Sequence, residues 1–183
     1  MKKKPKKKKR KKMTFNDLLK LYNEKREIHG IKTYRYISQL FQDAKVIHKE
    51  YFQRSATAAK ARAKGKIPDH EQSWRAFKGK NLEKLVIHII KDEVESLGLK
   101  IIEGNNLERT NSSKLSKELS SVKRNLLVDY GEFGSHLPDV DIIIYDPTTY
   151  KIVAVISSKV TLRERIAQTG YWKIKLSHDE VTK

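Results

Sequence analysis

The sequence contains no cysteine. That excludes disulfides, thiolate catalysis and cysteine-ligated zinc, and it fits an intracellular protein. No apolar run approaches the roughly 20 residues that a membrane-spanning helix needs, so no membrane partner is expected. The N-terminus is basic but lacks the apolar segment of a signal peptide. The six histidines show no HxH or HExxH spacing, which argues against a zinc site. Internal repeats are absent. Acidic residues are few: 22 Asp and Glu stand against 40 Lys and Arg.

What is present follows from that imbalance. The formal net charge is +18 over 183 residues, a length sufficient for a real core. Ten positive charges sit in residues 2–12, KKKPKKKKRKK, and the rest of the chain is still basic. A polyanion is the natural partner, nucleic acid the commonest; a lysine-rich solvated surface is the plain alternative. Residues 1–13 are expected to be a disordered tail, because like charges repel and little there can be buried. The tail fits a nuclear signal, a nucleic-acid arm or a solubility tail equally well.

Residues 14–54 carry helical signals. Thr14 and Asp17 in TFND have capping-box spacing, with Asp in place of the preferred Glu or Gln. After a break at HGIKT, Ile37, Leu40, Phe41, Ala44, Ile47 and Tyr51 recur near a 3.6-residue period. Residues 55–72 are small, basic and proline-containing, and read as a linker. An α/β unit, of the α+β kind, is expected over 73–183. A helix with Leu82, Leu85, Val86, Ile89, Ile90, Val94 and Leu97 on one face ends at Gly98. LKIIEG is a short strand, and residues 105–124 show no clear element. NLLVDYG is a short strand or a helix end. DVDIIIY and KIVAVIS, joined by DPTTY, read as a β-hairpin. LRERIAQTGYWKIKL is helical in pattern.

The hairpin concentrates charge at one end. If Tyr145 faces Lys151, Asp139 lies opposite Ser157, and Lys159 sits just beyond on the same face; a one-residue slip would break this. Asp141 shares the face of Asp139. Burying a carboxylate or an ammonium unpaired is costly, so this end either reaches water as a weak ion pair or has a task. On the helix at 81–97, Glu83 falls inside the apolar arc near Ile90 and Val94, as does Glu93. A metal or a lysine would explain Glu83, and so would the helix N-terminus.

These residues carry a resemblance. Pro138–Asp139, an apolar strand, a turn and a second apolar strand ending in Lys159 resemble the PD-(D/E)XK nuclease superfamily. ISSKVTLRERIAQTGYWK and SWRAFKGKNLEKLV are similar to segments of type II restriction endonucleases, over roughly residues 70–176. The resemblance implies a restriction-endonuclease-like core, a mixed sheet flanked by helices. It implies Mg²⁺-dependent hydrolysis of double-stranded DNA at a short specific site. Asp139 would bind the metal, with Glu83 and Asp141 as further metal carboxylates. Lys159 would position or activate the attacking water. Arg163 and Arg165 would contact DNA, as would Gln168 and Ser158, since an arginine fork matches guanine O6 and N7; phosphate contact is the simpler role. Glu164 would hold an arginine or serve as a catalytic carboxylate. The partners implied are DNA, a second copy of the chain and, genetically, a DNA methyltransferase, with the helical region 14–54 as a DNA clamp or dimerisation element; the location implied is the cytoplasm of a prokaryote.

Two departures matter. Ser157 stands where the motif has Asp or Glu, which leaves Glu164 and Glu83 as substitutes. The family core has a further strand after the lysine-following helix, and a chain that lacks it is expected to be truncated, a split gene product or a decayed relative. Two rival functions therefore stand: a catalytically inactive DNA-binding relative, and a PD-(D/E)XK nuclease of repair or junction resolution. His136 reads as a loop residue, and Trp74, Tyr171 and Trp172 as core or interface.

Overall fold

The computed structural model describes residues 12–110, 114–129, 132, 134–158 and 173–174. The chain divides into two compact units, Met1–Asn81 and Leu82–Lys183.

Unit 1 is helical. Helix α1 (Phe15–His29) begins with the capping box that TFND encodes: Asp17 N–H donates to Thr14 Oγ1 at 3.4 Å, and Thr14 N–H donates to Asp17 Oδ2 at 2.8 Å. It ends at Gly30, whose φ of +57° suits a residue without a Cβ, and a 3₁₀ segment (Gly30–Tyr36) leads into α2 (Ile37–Gln53). The buried face of α2 is Leu40, Phe41, Ala44, His48 and Phe52. Ile47 and Tyr51, assigned to that face by periodicity, are only half-buried. The face is turned by one residue because His48 and Phe52 join an aromatic cluster with Trp74 and Phe77: the His48 ring lies 5.4 Å from Trp74 and 5.0 Å from Phe77.

Residues 55–72, read as a linker, contain ordered helix. Ser55 Oγ accepts from Ala58 N–H at 3.1 Å and caps α3 (Ala56–Ala63), while Ala58 is buried. Helix α4 (His70–Ser96) starts well before the expected Asn81. Asp69 Oδ1 accepts from Gln72 N–H at 3.0 Å at its start, a cap hidden from periodicity by the polar first turns. The division between units falls at Asn81–Leu82 and not within 55–72. Met13, assigned to the tail, is buried. The tail before Lys12 lies outside the described residues.

Unit 2 is built on a three-stranded antiparallel sheet in the order β1 (Lys100–Glu103), β4 (Ile142–Tyr145), β5 (Ile152–Ile156). Among the described residues every strand pair is antiparallel. Two helices, α5 (Gly104–Arg109) and α6 (Lys117–Leu126), occupy the stretch where no element was expected. Their signal is short but physical: Ser116 caps α6, and Val122 and Leu126 recur at i, i+4. NLLVDYG holds both expected elements, the end of α6 and β2 (Val128–Asp129), which pairs with β3 (Ser135–His136). Leu107, Val122, Leu126, Ile143 and Tyr145 form one core cluster. Each of those aliphatic side chains contributes about 1.5–3 kcal/mol by leaving water. All four residues of β4 are buried, which is why IIIY reads as an unbroken apolar run. The architecture is α+β, as expected.

The hairpin turn is an Asx turn. Asp146 Oδ1 accepts from Thr148 N–H at 2.7 Å, and Oδ2 from Thr149 Oγ1 at 2.9 Å. These bonds to the charged form hold its carboxyl below the usual carboxylate range. At the same end of the sheet, Glu118 Oε1 on α6 accepts from Tyr145 Oη at 2.9 Å and from Lys100 Nζ at 2.8 Å. Burial and then the Glu118 bond push the Tyr145 phenol from 10.0 up to about 12. A raised folded pKa means stability that is full below pH 10 and lost as pH rises through about 12. Tyr145→Phe is expected to cost roughly 1 kcal/mol at pH 7 and to lack that extra alkaline loss. Urea unfolding at pH 7 and above pH 10 checks both; an unchanged alkaline limb in the variant would contradict the assignment.

Candidate active site

The site is set by the register of the hairpin. Ile142 pairs with Ile156, Ile143 with Val155 and Ile144 with Ala154, but Tyr145 pairs with Ile152. The extra residue is Val153, exposed on the edge of β5, so the ladder carries a bulge. The turn also closes one pair later than expected, with Asp146 N–H donating to Lys151 O at 3.0 Å. Together these move the pairing by two residues. Asp139 is therefore not opposite Ser157; Asp141 is. A shift of two preserves the face, so the convergence of a carboxylate on that strand end survives with a different carboxylate.

Asp141 is buried, with 4% of its surface exposed. Its Oδ2 accepts from Ser158 N–H at 2.7 Å and from Ser157 Oγ at 3.3 Å. A buried carboxylate needs such donors, because stripping its water uncompensated is expensive. Ser158 Oγ, next to it, is buried and takes no hydrogen bond among the described residues. Such an orphan in a native site calls for a ligand or a water. Asp139 is exposed, in the loop between β3 and β4, with Pro138 buried before it. Glu83 is half-buried on α4, and Glu93 exposed. Lys159, Arg163, Glu164, Arg165 and Gln168 lie outside the described residues.

One residue that sequence reading passed over holds this arrangement. Gly104, the first residue of α5, donates its N–H to Asp141 O at 2.8 Å. By the β1–β4 register it continues the row of Asp141 and Ser157. A Cβ on Gly104 would overlap the carbonyl of Val140. The loop carrying Asp139 and Asp141 thus lies against bare backbone, which only glycine permits. The signal in sequence was a lone glycine after a strand run, indistinguishable from a helix stop.

The donor set suits a hard divalent ion in part. Among the described residues no three of His, Cys, Asp and Glu converge as a metal cluster. Mg²⁺ needs fewer, since it is bound through one or two carboxylates, retained waters and the substrate's own phosphate. Asp141, with the orphaned Ser158 hydroxyl beside it, matches that sparse requirement.

Residues 118–183 match the family described as BsaWI restriction endonuclease type 2. Two curated proteins, both provisionally described as type II restriction enzymes, are similar to this chain. MjaVIP of Methanocaldococcus jannaschii is 38% identical over 113 residues, covering 61% of this chain and 48% of its own length. HpyAORF263P of Helicobacter pylori is 36% identical over 116 residues, covering 61% of this chain and 55% of its own. The chain spans about half the length of these relatives. No solved structure matches it. The resemblance to type II restriction endonucleases that PD…SSK and LRERIAQTGYW carried is borne out by both comparisons.

Gly104→Ala is expected to destabilise unit 2 by roughly 1–3 kcal/mol through overpacking. Gly79→Ala, on α4 with nothing within 4 Å of its Cβ, is expected to be neutral or up to about 1 kcal/mol stabilising, as in helices generally. Denaturant unfolding of the two variants checks this; equal effects would remove the case for the close approach.

Proposed function

We propose that this chain acts in a type II restriction endonuclease, hydrolysing double-stranded DNA at a short specific site with Mg²⁺. The observation that carries the reading is the buried carboxylate of Asp141 beside Ser157 and Ser158, where Ser157 stands two residues before Lys159 and six before Arg163, in a chain similar to such enzymes. Asp141 is the principal metal carboxylate, supported by Asp139 and Glu83. Bound there, Mg²⁺ would offset charge gathering on the scissile phosphate and lower the pKa of water. Lys159 orients the attacking water and offsets the remaining charge. In the reaction the water oxygen forms a bond to phosphorus, one ester P–O bond breaks, and the leaving oxygen takes a proton. Arg163 and Arg165 contact DNA beside the cut, with Glu164 holding them and Gln168 and Ser158 adding polar contacts. A homodimer would match a palindromic site and cut both strands. The setting is the prokaryotic cytoplasm, with a methyltransferase protecting the host's own sites. Among the described residues no helix is long and apolar enough to cross a membrane.

A second reading rests on Ser157. It supplies a hydroxyl where the motif has a carboxylate, and that hydroxyl is spent on Asp141. With no substitute from Glu83 or Glu164, the protein binds DNA without cutting it.

Incubation of the purified chain with unmethylated plasmid and Mg²⁺ separates these. Discrete fragments, lost in EDTA and in Lys159→Ala, are expected, and Asp141→Asn is expected to slow cleavage by about 10²–10³-fold, more than Asp139→Asn. DNA retardation with no cleavage in any condition would favour the second reading. Cleavage that survives Asp141→Asn but not Asp139→Asn would overturn the assignment of Asp141.

A further inference from the structure

Unit 1 contains a cavity of about 490 Å³ that the reading above does not use. That volume lies within the roughly 300–1,000 Å³ of small-molecule sites. Its apolar lining holds three aromatic side chains, Tyr51, Phe52 and Phe77, with Met13 and Ala76 beside them. Its polar lining includes His48, Asp69 and Gln72. His48 is only 7% exposed. Its Nδ1 lies 3.1 Å from His70 Nε2, and among the described residues no hydrogen bond reaches its Nε2. Burial, and then the charge of His70, lower its pKa, so the ring presents a neutral edge. Asp69 commits one oxygen to the cap of α4, where Oδ1 accepts from Gln72 N–H, and Oδ2 takes no hydrogen bond among the described residues. The Gln72 side chain is exposed at the rim.

The chemistry of this lining selects a ligand. The Asp69 carboxylate on the lining opposes a phosphate group, so the two helix starts here do not make an anion site. Aromatic faces favour a planar ring, and a carboxylate, an amide and a neutral imidazole suit the donor and acceptor edge of that ring. Outside the cavity the charge reverses. From Tyr51 to Pro68 there are five basic residues and no acidic one, and Lys12, which ends the polybasic tail, lines the mouth. The acids bordering that segment are Glu50 and Asp69, and Glu71 beyond them is tied to Lys45 at 2.8 Å. A planar ring with a polar edge, joined to a polyanion, is a nucleobase on a nucleic-acid strand.

We propose that the cavity of unit 1 receives one unstacked base of the bound DNA, while Lys12 and the basic segment 54–66 hold the flanking phosphates. This rests on the DNA reading above but not on cleavage. It differs from the base contacts of Arg163 and Arg165, which would read paired bases from the groove.

The test uses the full chain in EDTA and fluorescence anisotropy on two short duplexes, one with a single unpaired guanine and one with an abasic residue at that position. The base-bearing duplex is expected to bind roughly tenfold tighter. Thr57→Trp, which fills the mouth from an exposed position, and Gln72→Ala are each expected to abolish the preference while leaving abasic-duplex binding and its salt dependence unchanged. Equal binding of the two duplexes by the unaltered chain would overturn the proposal, as would a preference that persists in both variants. Deoxyguanosine monophosphate binding without any preference between duplexes would overturn the strand in favour of a free nucleotide. Failure to bind either duplex would sink the DNA reading as well, whereas site-specific cleavage with no preference would sink only the cavity.

Discussion

The candidate site depends on one hydrogen bond, from Ser158 N–H to the buried carboxylate of Asp141 at 2.7 Å. It ties the end of β5 to the start of β4 at the point where the ladder runs out. Three features make it possible. The turn closing at Asp146 and Lys151 and the bulge at Val153 set the register that brings Asp141 level with Ser157. Bare backbone at Gly104 lets the Val140–Asp141 segment lie against the end of β1. The fully buried IIIY strand fixes β4 between its neighbours, so a slip by one would turn Ile143 and Tyr145 out of the core they share with α6. The carboxylate is held by packing at one end and by donors at the other.

That arrangement explains why polar chemistry follows directly on an apolar strand. A carboxylate at this depth is tolerated because Ser157 and Ser158 solvate it. Ser157 is therefore structural. Among the described residues Asp141 is the one buried carboxylate.

Much of this was legible in the sequence, for identifiable reasons. The capping box at Thr14, the Asx turn at Asp146 and the alternation-free run of β4 are local signals, and each appears where its residues placed it. Helices α5 and α6 were missed because they are short and polar, and their apolar residues make sense only against the sheet. The opposing carboxylate differs from the expected one because the turn closes at Asp146 and Lys151 and not at Tyr145 and Lys151, and because a bulge is decided by tertiary packing, while a hairpin register read from sequence assumes none. The fold class and the family likeness survived that error because a two-residue shift keeps every side chain on its face. In unit 1 the supposed linker is helix α3, its cap at Ser55 overlooked among small residues. The His48–His70 contact joins positions 22 apart, which no spacing rule addresses.

The most direct test of the account is a crystal structure of the chain with duplex DNA and Ca²⁺, which occupies oxygen sites without supporting turnover in many Mg²⁺ enzymes. The account predicts a Ca²⁺ ion at roughly 2.3–2.6 Å from a carboxylate oxygen of Asp141, between it and a DNA phosphate, with Ser158 N–H still on the other oxygen. A Ca²⁺ ion held by Asp139, with Asp141 remote from both ion and phosphate, would contradict it.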